Sequence, residues 1–201
     1  NLNPEENEIK KYIDEDKVTC LISPCSSQRY GKKYNRSWPI ENFIEVIEYL
    51  LGQKNIQVIV TGGLSETEVE YSKKIDSEDF NEDFVNLIGK TSIRGMAAII
   101  KYSQFVISPD SGPAHIGTVM GKPVIGLYAM SNLNRSGPYY SGKWTINKYP
   151  EALETFEGKS IESSKWGQKV KDPKAMQLIK VSDVISKIDE VISYVYKRNQ
   201  D

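Results

Sequence analysis

The chain has 201 residues, 39% of them apolar and 10% aromatic, which is enough to bury one substantial core and excludes a disordered tail. Its 26 Lys and Arg nearly balance 27 Asp and Glu, giving a net charge of −1. That balance excludes the basic field that would hold a nucleic-acid backbone, so we expect no nucleic-acid partner.

The apolar runs are all too short to be a membrane anchor. None approaches the ~20 residues needed to cross a bilayer, and the opening Asn-Leu-Asn-Pro-Glu-Glu does not resemble a signal peptide. We therefore expect a soluble protein without a transmembrane segment. The two cysteines, Cys20 and Cys25, have no second Cys pair or clustered His to complete a zinc site, and they favour a reducing cytosol.

Short apolar runs alternate with helical patterns along most of the chain. Strands are predicted at Val18–Ser23, Gln57–Thr61, Val85–Leu87, Phe105–Ser108 and Val124–Tyr128. Apolar residues recur every three or four positions in Ile40–Leu51, Ser65–Ile75, Ser92–Lys101 and Pro113–Met120. This alternation predicts an α/β fold, a doubly wound parallel sheet of Rossmann-like type with helices on both faces.

The last third of the chain has a different pattern. Periodicity fails from 129 to 181, which predicts long irregular loops with short pieces of structure. A clean apolar stripe returns in Ser182–Arg198, with Ser182 as the predicted cap of a helix. We therefore predict one domain over residues 1–201, with its core in 18–128 and a C-terminal helix at 182–198.

The loop after the fourth predicted strand carries the sharpest signal. Ser111 or Gly112 is placed to cap the following helix, Pro113 takes its first position, and Gly121 ends it. Such a helix presents free N–H groups and the positive end of its dipole, which makes a site for a phosphate at the carboxyl edge of the sheet. An ordinary capped strand–turn–helix remains the alternative.

Two polar residues in this loop go beyond what a cap requires. His115 is the only histidine, and in a first helical turn the dipole disfavours its protonated form. A neutral imidazole there can donate to a phosphate or ribose oxygen, or it can hold the loop in place. The carboxylate of Asp110 would repel a phosphate, but it could accept from sugar hydroxyls or from loop N–H groups.

Five segments in order resemble glycosyltransferase family 9, the ADP-heptose:lipopolysaccharide heptosyltransferase group. The resemblance runs from about Val18 to Pro138. It is carried by Ser23-Pro24-Cys25-Ser26-Ser27 with Arg36-Ser37-Trp38-Pro39, Thr61-Gly62-Gly63 with Glu66, Leu87 to Ser92, Asp110-Ser111-Gly112-Pro113 with His115 and then Gly121 to Tyr128, and Ser136-Gly137-Pro138. Any one segment is weak, whereas the ordered set is specific.

The resemblance implies the C-terminal half of a GT-B enzyme, whose two Rossmann-like domains flank the active site. That half binds the nucleotide-sugar donor, here implied to be ADP-heptose, and the sugar is transferred with inversion. The N-terminal acceptor domain is not found in these residues. It would supply the site for a lipid-linked saccharide and the general base, so we expect no catalytic residue in this chain.

The resemblance also implies the setting of the enzyme. No cofactor and no metal are expected, because basic and helix-terminal groups can neutralise the departing diphosphate. The location implied is the cytoplasm, or the cytoplasmic face of the inner membrane.

Carried over residue by residue, the resemblance makes Ser26, Arg36, Glu66, Thr91, Asp110, Ser111, Gly112, Pro113 and His115 the donor-binding set. Arg36 stands where the family has a phosphate-contacting Lys, which keeps the charge and allows bidentate contact. Glu66 falls near the expected donor ribose. Cys25 replaces a small Gly, which puts close backbone approach to a phosphate there in doubt.

Each of these assignments has a simpler reading. Arg36, Lys32 and Lys33 could form a solvated basic loop, and Glu66 could complement a helix dipole. Thr91 and Ser92 could line the base pocket or cap a helix, and capping is preferred for Ser92. Trp38 is predicted to be a core residue that holds its loop down.

Two other functions remain open from the sequence. One is a nucleotide-sugar epimerase or a transferase for another sugar. The other is a non-catalytic module that binds a nucleotide or docks a partner. An NAD enzyme is disfavoured, because Gly62-Gly63 is not part of a full Gly-x-Gly-x-x-Gly.

Overall fold

The computed structural model describes residues 3–26 and 36–198. In these residues a single parallel sheet has the strand order β3-β2-β1-β4-β5-β6. Its strands are β1 (Val18–Ile22), β2 (Ile56–Gly62), β3 (Phe84–Ile88), β4 (Phe105–Pro109), β5 (Val124–Tyr128) and β6 (Ile146–Asn147). The order reverses between β1 and β4, as it does in doubly wound folds.

Helices cover both faces of this sheet. They are α1 (Asn3–Ile9), α2 (Ile40–Leu51), α3 (Glu66–Asp76), α4 (Ile93–Tyr102), α5 (Gly112–Val119), α6 (Leu133–Ser136), α7 (Tyr149–Glu157) and α8 (Val181–Arg198). Within the described ranges, 3₁₀ turns accompany them at Lys10–Tyr12, Tyr139–Trp144 and Pro173–Leu178. In the ranges described, no helix combines the length and apolar character needed to span a membrane.

Two apolar cores lie on opposite faces of the sheet. In β1, Cys20 and Ile22 join the core formed with α2, α3, α7 and α8, whereas Leu21 joins the core formed with α1, α4 and α5. Because successive side chains of a strand point to opposite faces, burial on both sides requires a continuous apolar strand. All five residues of β1 are buried.

Local signals set the ends of the helices that border the carboxyl edge of the sheet. Ser65 caps α3 in a capping box with Glu68, and Ser92 caps α4 by accepting from the Gly95 N–H at 3.0 Å. Helix α5 ends at Val119, and Gly121, the residue after its C-cap Met120, has a φ of +70° that suits a residue without a side chain. The predicted cap at Ser92 and the predicted stop at Gly121 are confirmed.

The predicted strands and helices are confirmed to within one residue at each end. Two details were wrong. Helix α8 begins at Val181, and the Asp183 carboxylate accepts the Lys180 N–H at 3.1 Å, so Ser182 lies inside the first turn and is not the cap. Pro113 is the second residue of α5 and not the first. Ser111 does hold the predicted N-cap position, although its side chain makes no capping bond.

The irregular stretch predicted for 129–181 contains more order than expected. It holds the nine-residue helix α7 and the edge strand β6. Helix α7 buries only three residues on its apolar face, and β6 is two residues long. Neither element is therefore long enough to show a clear hydrophobic periodicity in the sequence. Helix α1 was also missed.

Candidate functional site

The crevice at the carboxyl edge of the sheet lies where the strand order reverses. From β1 the chain continues to α2 and β2 on one side, and from β4 it continues to α5 and β5 on the other. The two loops therefore part, and side chains from both can enter the gap between them. Arg36 comes from the first loop and Asp110 from the second.

The described ends of the loop after β1 are hydrogen-bonded to each other. The Ser26 N–H donates to Ser37 Oγ at 3.1 Å, and the Arg36 N–H donates to Ser26 Oγ at 3.2 Å. Ser26 and Ser37 are buried. These bonds hold the backbone of Arg36 at the crevice, while Lys32 and Lys33 lie outside the described residues.

Asp110 accepts hydrogen bonds from three side chains at the crevice. Its Oδ2 accepts from Arg36 Nη1 at 2.6 Å, from Ser131 Oγ at 2.7 Å and from Ser136 Oγ at 3.4 Å. Its Oδ1 lies 4.0 Å from His115 Nε2, beyond hydrogen bonding. One carboxylate oxygen is thus held by three donors, and the other faces the imidazole.

The amino end of α5 borders the same gap. Ser111 Oγ is 2.7 Å from Ser108 Oγ and makes no capping bond to α5. An ideal Cβ built on Gly112 meets no heavy atom of residues 3–26 and 36–198 within 4 Å, so these residues leave the backbone there open. His115, half exposed in the first turn, stands beside that space.

The glycine turn after β2 is organised by a residue that the sequence analysis missed. The buried carboxylate of Glu68 accepts from the Gly63 N–H at 2.6 Å and from the Ser65 N–H at 2.9 Å. The signal was present, because Ser65 and Glu68 have the spacing of a capping box. Glu66 is the first residue of α3 and is exposed, and its role at a ribose stays a prediction.

The loop after β3 is tied to this turn. The Gly89 N–H donates to the Gly62 carbonyl at 2.9 Å, and Gly89 has a φ of +73°. Thr91 is half-buried in the loop between Gly89 and the cap of α4. Its contact with a nucleobase stays a prediction.

Trp38 holds down the loop after β1, as predicted. It is fully buried, its Nε1 donates to the Ile179 carbonyl at 3.0 Å, and its own carbonyl accepts from Tyr71 Oη at 2.8 Å. Cys25 is also buried in this loop, and burial together with the nearby Glu68 carboxylate raises the pKa of its thiol to about 12. This thiol is therefore protonated at neutral pH.

The structure brings Ser26, Arg36, Asp110 and His115 to one crevice, with the amino end of α5 beside them. Ser131 and Ser136 were missed as members of this group, although Ser136 belongs to a segment with a family counterpart. Nothing in the sequence around Ser131 marks it, because its role depends on where the chain returns after β5. In residues 3–26 and 36–198, no three His, Cys, Asp or Glu side chains are grouped to hold a metal ion.

The model of glycosyltransferase family 9 (heptosyltransferase) matches residues 2–165. The chain belongs to this family. The lipopolysaccharide core heptosyltransferase OpsX of Haemophilus influenzae is 36% identical over 181 residues, which cover 90% of this chain and 50% of that protein. Lipopolysaccharide heptosyltransferase 1 of Escherichia coli K12 is 29% identical over 127 residues, covering 63% of this chain and 38% of that protein. This family 9 chain thus spans half or less of these curated relatives.

Solved structures with the same architecture confirm the fold prediction. The ADP-heptose lipopolysaccharide heptosyltransferase II of E. coli superposes with a TM-score of 0.67 at 16% identity, covering 98% of this family 9 chain and 52% of that one. The family 9 glycosyltransferase of Veillonella parvula gives a TM-score of 0.67 at 18% identity, covering 95% of this chain and 52% of that one. The predicted Rossmann-like α/β fold is therefore the fold of this family.

Proposed function

We propose that this chain binds the nucleotide-sugar donor of an inverting heptosyltransferase, with ADP-heptose as the donor and a lipopolysaccharide core or related glycan as the acceptor. Support for the sugar and the acceptor comes from the 36% identical relative, which is named a lipopolysaccharide core heptosyltransferase. Support for the nucleotide comes from a structure of the same fold that is described as an E. coli heptosyltransferase with ADP. We assign the acceptor site and the general base to the part of the relatives' length that this chain does not cover.

The observation that carries the proposal is the meeting of Arg36 with the amino end of α5 across the switch point. Arg36 is bonded to Asp110, which comes two residues before Gly112. A guanidinium has five N–H donors, so its bond to Asp110 through Nη1 is compatible with further donation to a diphosphate. The helix adds first-turn N–H groups and the positive end of its dipole.

These groups act on the bond that breaks. When the acceptor hydroxyl attacks the anomeric carbon, the nucleoside diphosphate departs and negative charge grows on its bridging oxygen. Preorganised donors that point at this charge lower the barrier, because they need no reorganisation during the reaction. We assign this role to Arg36 and to the Gly112 backbone, and we expect the departure to need no metal ion.

The other residues of the site are assigned to the remaining parts of the donor. Asp110 Oδ1, which faces away from the three donors on Oδ2, is assigned to a sugar hydroxyl. Glu66 is assigned to the ribose and Thr91 to the base. His115 is assigned to a phosphate or ribose oxygen through one donated hydrogen bond.

Calorimetry with ADP, UDP, GDP, CDP and ADP-heptose tests the proposal. We expect ADP to bind more tightly than the other diphosphates, and Arg36→Ala to weaken ADP binding by about 1.5–3 kcal/mol, the range for a hydrogen bond to a charged group. The loss should shrink as salt rises.

Arg198→Ala is the matched control, because Arg198 lines a cavity with Gln104 and Pro123 at the amino edge of the sheet. It should leave ADP binding unchanged. A clear preference for UDP would assign a different donor class. Failure of every nucleotide to bind would favour a docking module.

A further inference from the structure

Two serine hydroxyls from the segment after β5 are directed at the same oxygen of Asp110 that holds Arg36. Ser131 Oγ lies 2.7 Å from Asp110 Oδ2, and Ser136 Oγ lies 3.4 Å from it. We infer that Ser131, assisted by Ser136, is a positioning residue that fixes the Asp110 carboxylate and through it the Arg36 guanidinium. The inference rests on the proposed function, in which Arg36 contacts the diphosphate.

Ser131 is held in place independently of the loop that carries Arg36. Its backbone forms an antiparallel bridge with Lys169, and the neighbouring Met130 carbonyl accepts the Val170 N–H at 3.1 Å. Ser131 is buried at 3% exposure. The hydroxyl therefore approaches Asp110 from a fixed backbone and commits its single proton to a short, charge-assisted bond.

Ser136 contributes less than Ser131. Its hydroxyl has one proton and two acceptors in reach, Asp110 Oδ2 at 3.4 Å and the Asn132 carbonyl at 3.2 Å. Its backbone is held by Tyr128, whose Oη donates to the Ser136 carbonyl at 3.1 Å. Ser131 therefore makes the main hydrogen bond to Asp110 Oδ2, and Ser136 adds a weaker one.

This arrangement matters when a diphosphate competes for Arg36. An anion drawn to the guanidinium weakens the pull of Arg36 on Asp110, and a carboxylate held by Arg36 alone could then rotate. The bond from Ser131 keeps Oδ2 in place, so Arg36 stays aligned and Oδ1 keeps facing His115. Because the carboxylate is already fixed, less side-chain entropy is lost when the diphosphate binds.

The test is a double-mutant cycle that uses ADP and the full chain. Ser131→Ala should weaken ADP binding by about 3- to 10-fold when Arg36 is present, the loss expected for part of a charge-assisted hydrogen bond. In an Arg36→Ala background the same change should have less than about a 2-fold effect, because coupled residues are not additive. Ser103→Ala is the matched control, since Ser103 is a buried serine bonded to the Ile99 carbonyl before β4.

The outcomes separate this inference from the proposed function. If Arg36→Ala itself leaves ADP binding unchanged, the assignment of Arg36 to the diphosphate fails and the positioning role fails with it. If Arg36→Ala weakens binding but Ser131→Ala does not, only the positioning role fails. Equal losses from Ser131→Ala in both backgrounds would mean a structural effect that does not pass through Arg36, and this too overturns the inference.

A second variant guards against misfolding. Ser131→Cys keeps nearly the same volume but replaces the hydroxyl with a weak donor, and it should show the same coupling to Arg36 as Ser131→Ala. Circular dichroism and thermal midpoints establish that each variant is folded before binding is compared.

Discussion

Arg36 and Asp110 lie 74 residues apart in the chain and are joined by a 2.6 Å hydrogen-bonded ion pair across the switch point of the sheet. The pair links the loop after β1 to the loop after β4, the two segments that part at the crevice. It also ties a cation to the residue two positions before Gly112. The two ends of the proposed donor site are therefore connected before any ligand arrives.

Asp110→Asn separates the contact with the sugar from the contact with the phosphates. The amide can still accept from Arg36, so ADP binding should fall only modestly. Loss of the negative charge on Oδ1 should weaken the binding of ADP-heptose more than the binding of ADP. We expect the difference between the two losses to be about 10-fold, or ~1.4 kcal/mol. Calorimetry with both ligands measures the difference. Identical losses for the two ligands would show that Asp110 does not touch the sugar.

Gly112→Val should block the anion site while leaving the fold intact. Its Cβ would meet no heavy atom of the described part of the chain within 4 Å, and its φ is not positive, so the unfolding free energy should change by less than about 1 kcal/mol. The side chain would stand between the backbone and a phosphate, so ADP binding should be lost. Gly142→Val, also in open space, is the control that should bind ADP normally. Retained ADP binding in Gly112→Val would remove the helix end from the site.

Thr61→Val should stabilise the protein. Thr61 is fully buried, and its Oγ1 has no hydrogen-bond partner among the described residues. Replacing an unsatisfied hydroxyl with a methyl of the same shape should raise the unfolding free energy by about 1 kcal/mol.

Thr118→Val is the comparison for this stability test, because the buried Thr118 Oγ1 donates to the Ala114 carbonyl at 2.9 Å. It should lower stability or leave it unchanged. Urea unfolding of both variants measures the effect. If Thr61→Val lowers the unfolding free energy as much as Thr118→Val does, an ordered water must be bonded to Thr61 Oγ1.

Cys25 should make the protein less stable at alkaline pH. Burial, with a contribution from the Glu68 carboxylate, raises the pKa of Cys25 to about 12, whereas an unfolded cysteine titrates near ~8.5. Between these values the unfolded chain loses a proton that the folded chain keeps, so stability falls as pH rises. At pH 9.5 this residue alone should cost about 1.4 kcal/mol relative to pH 7.

Urea unfolding of the wild type and of Cys25→Ala at pH 7 and 9.5 measures the contribution of Cys25. Burial also raises the pKa of Cys20, so the variant should retain part of the alkaline loss. An unchanged loss in Cys25→Ala would mean that this thiol does not titrate as its burial implies.

The sequence predicted the parts of the fold whose signals are local. Strand β5 is a continuous apolar run, and the cap at Ser92 and the stop at Gly121 each depend on a few neighbouring residues. Helix α7 and strand β6 were missed because burial against the rest of the protein, not a long period of their own, decides their structure.

The residues of the site likewise fall into those that local motifs predict and those that depend on tertiary contacts. Motifs predicted roles for Asp110 and Arg36, but they did not predict the bond between the two, since a pattern along the chain does not show which side chains meet. Ser131 illustrates the limit most clearly. Its hydroxyl matters only because the chain returns to Asp110 after β5, and no local spacing encodes that return.

The bond from Trp38 to the Ile179 carbonyl spans 141 positions and has a consequence for how the protein is made. During synthesis the N-terminal strands emerge first, but the loop next to Arg36 lacks this anchor until the segment just before α8 has left the ribosome. Contacts so distant in sequence are slow to form because a long loop must close. All six strands of the sheet are therefore synthesised before the residue that anchors the loop next to Arg36.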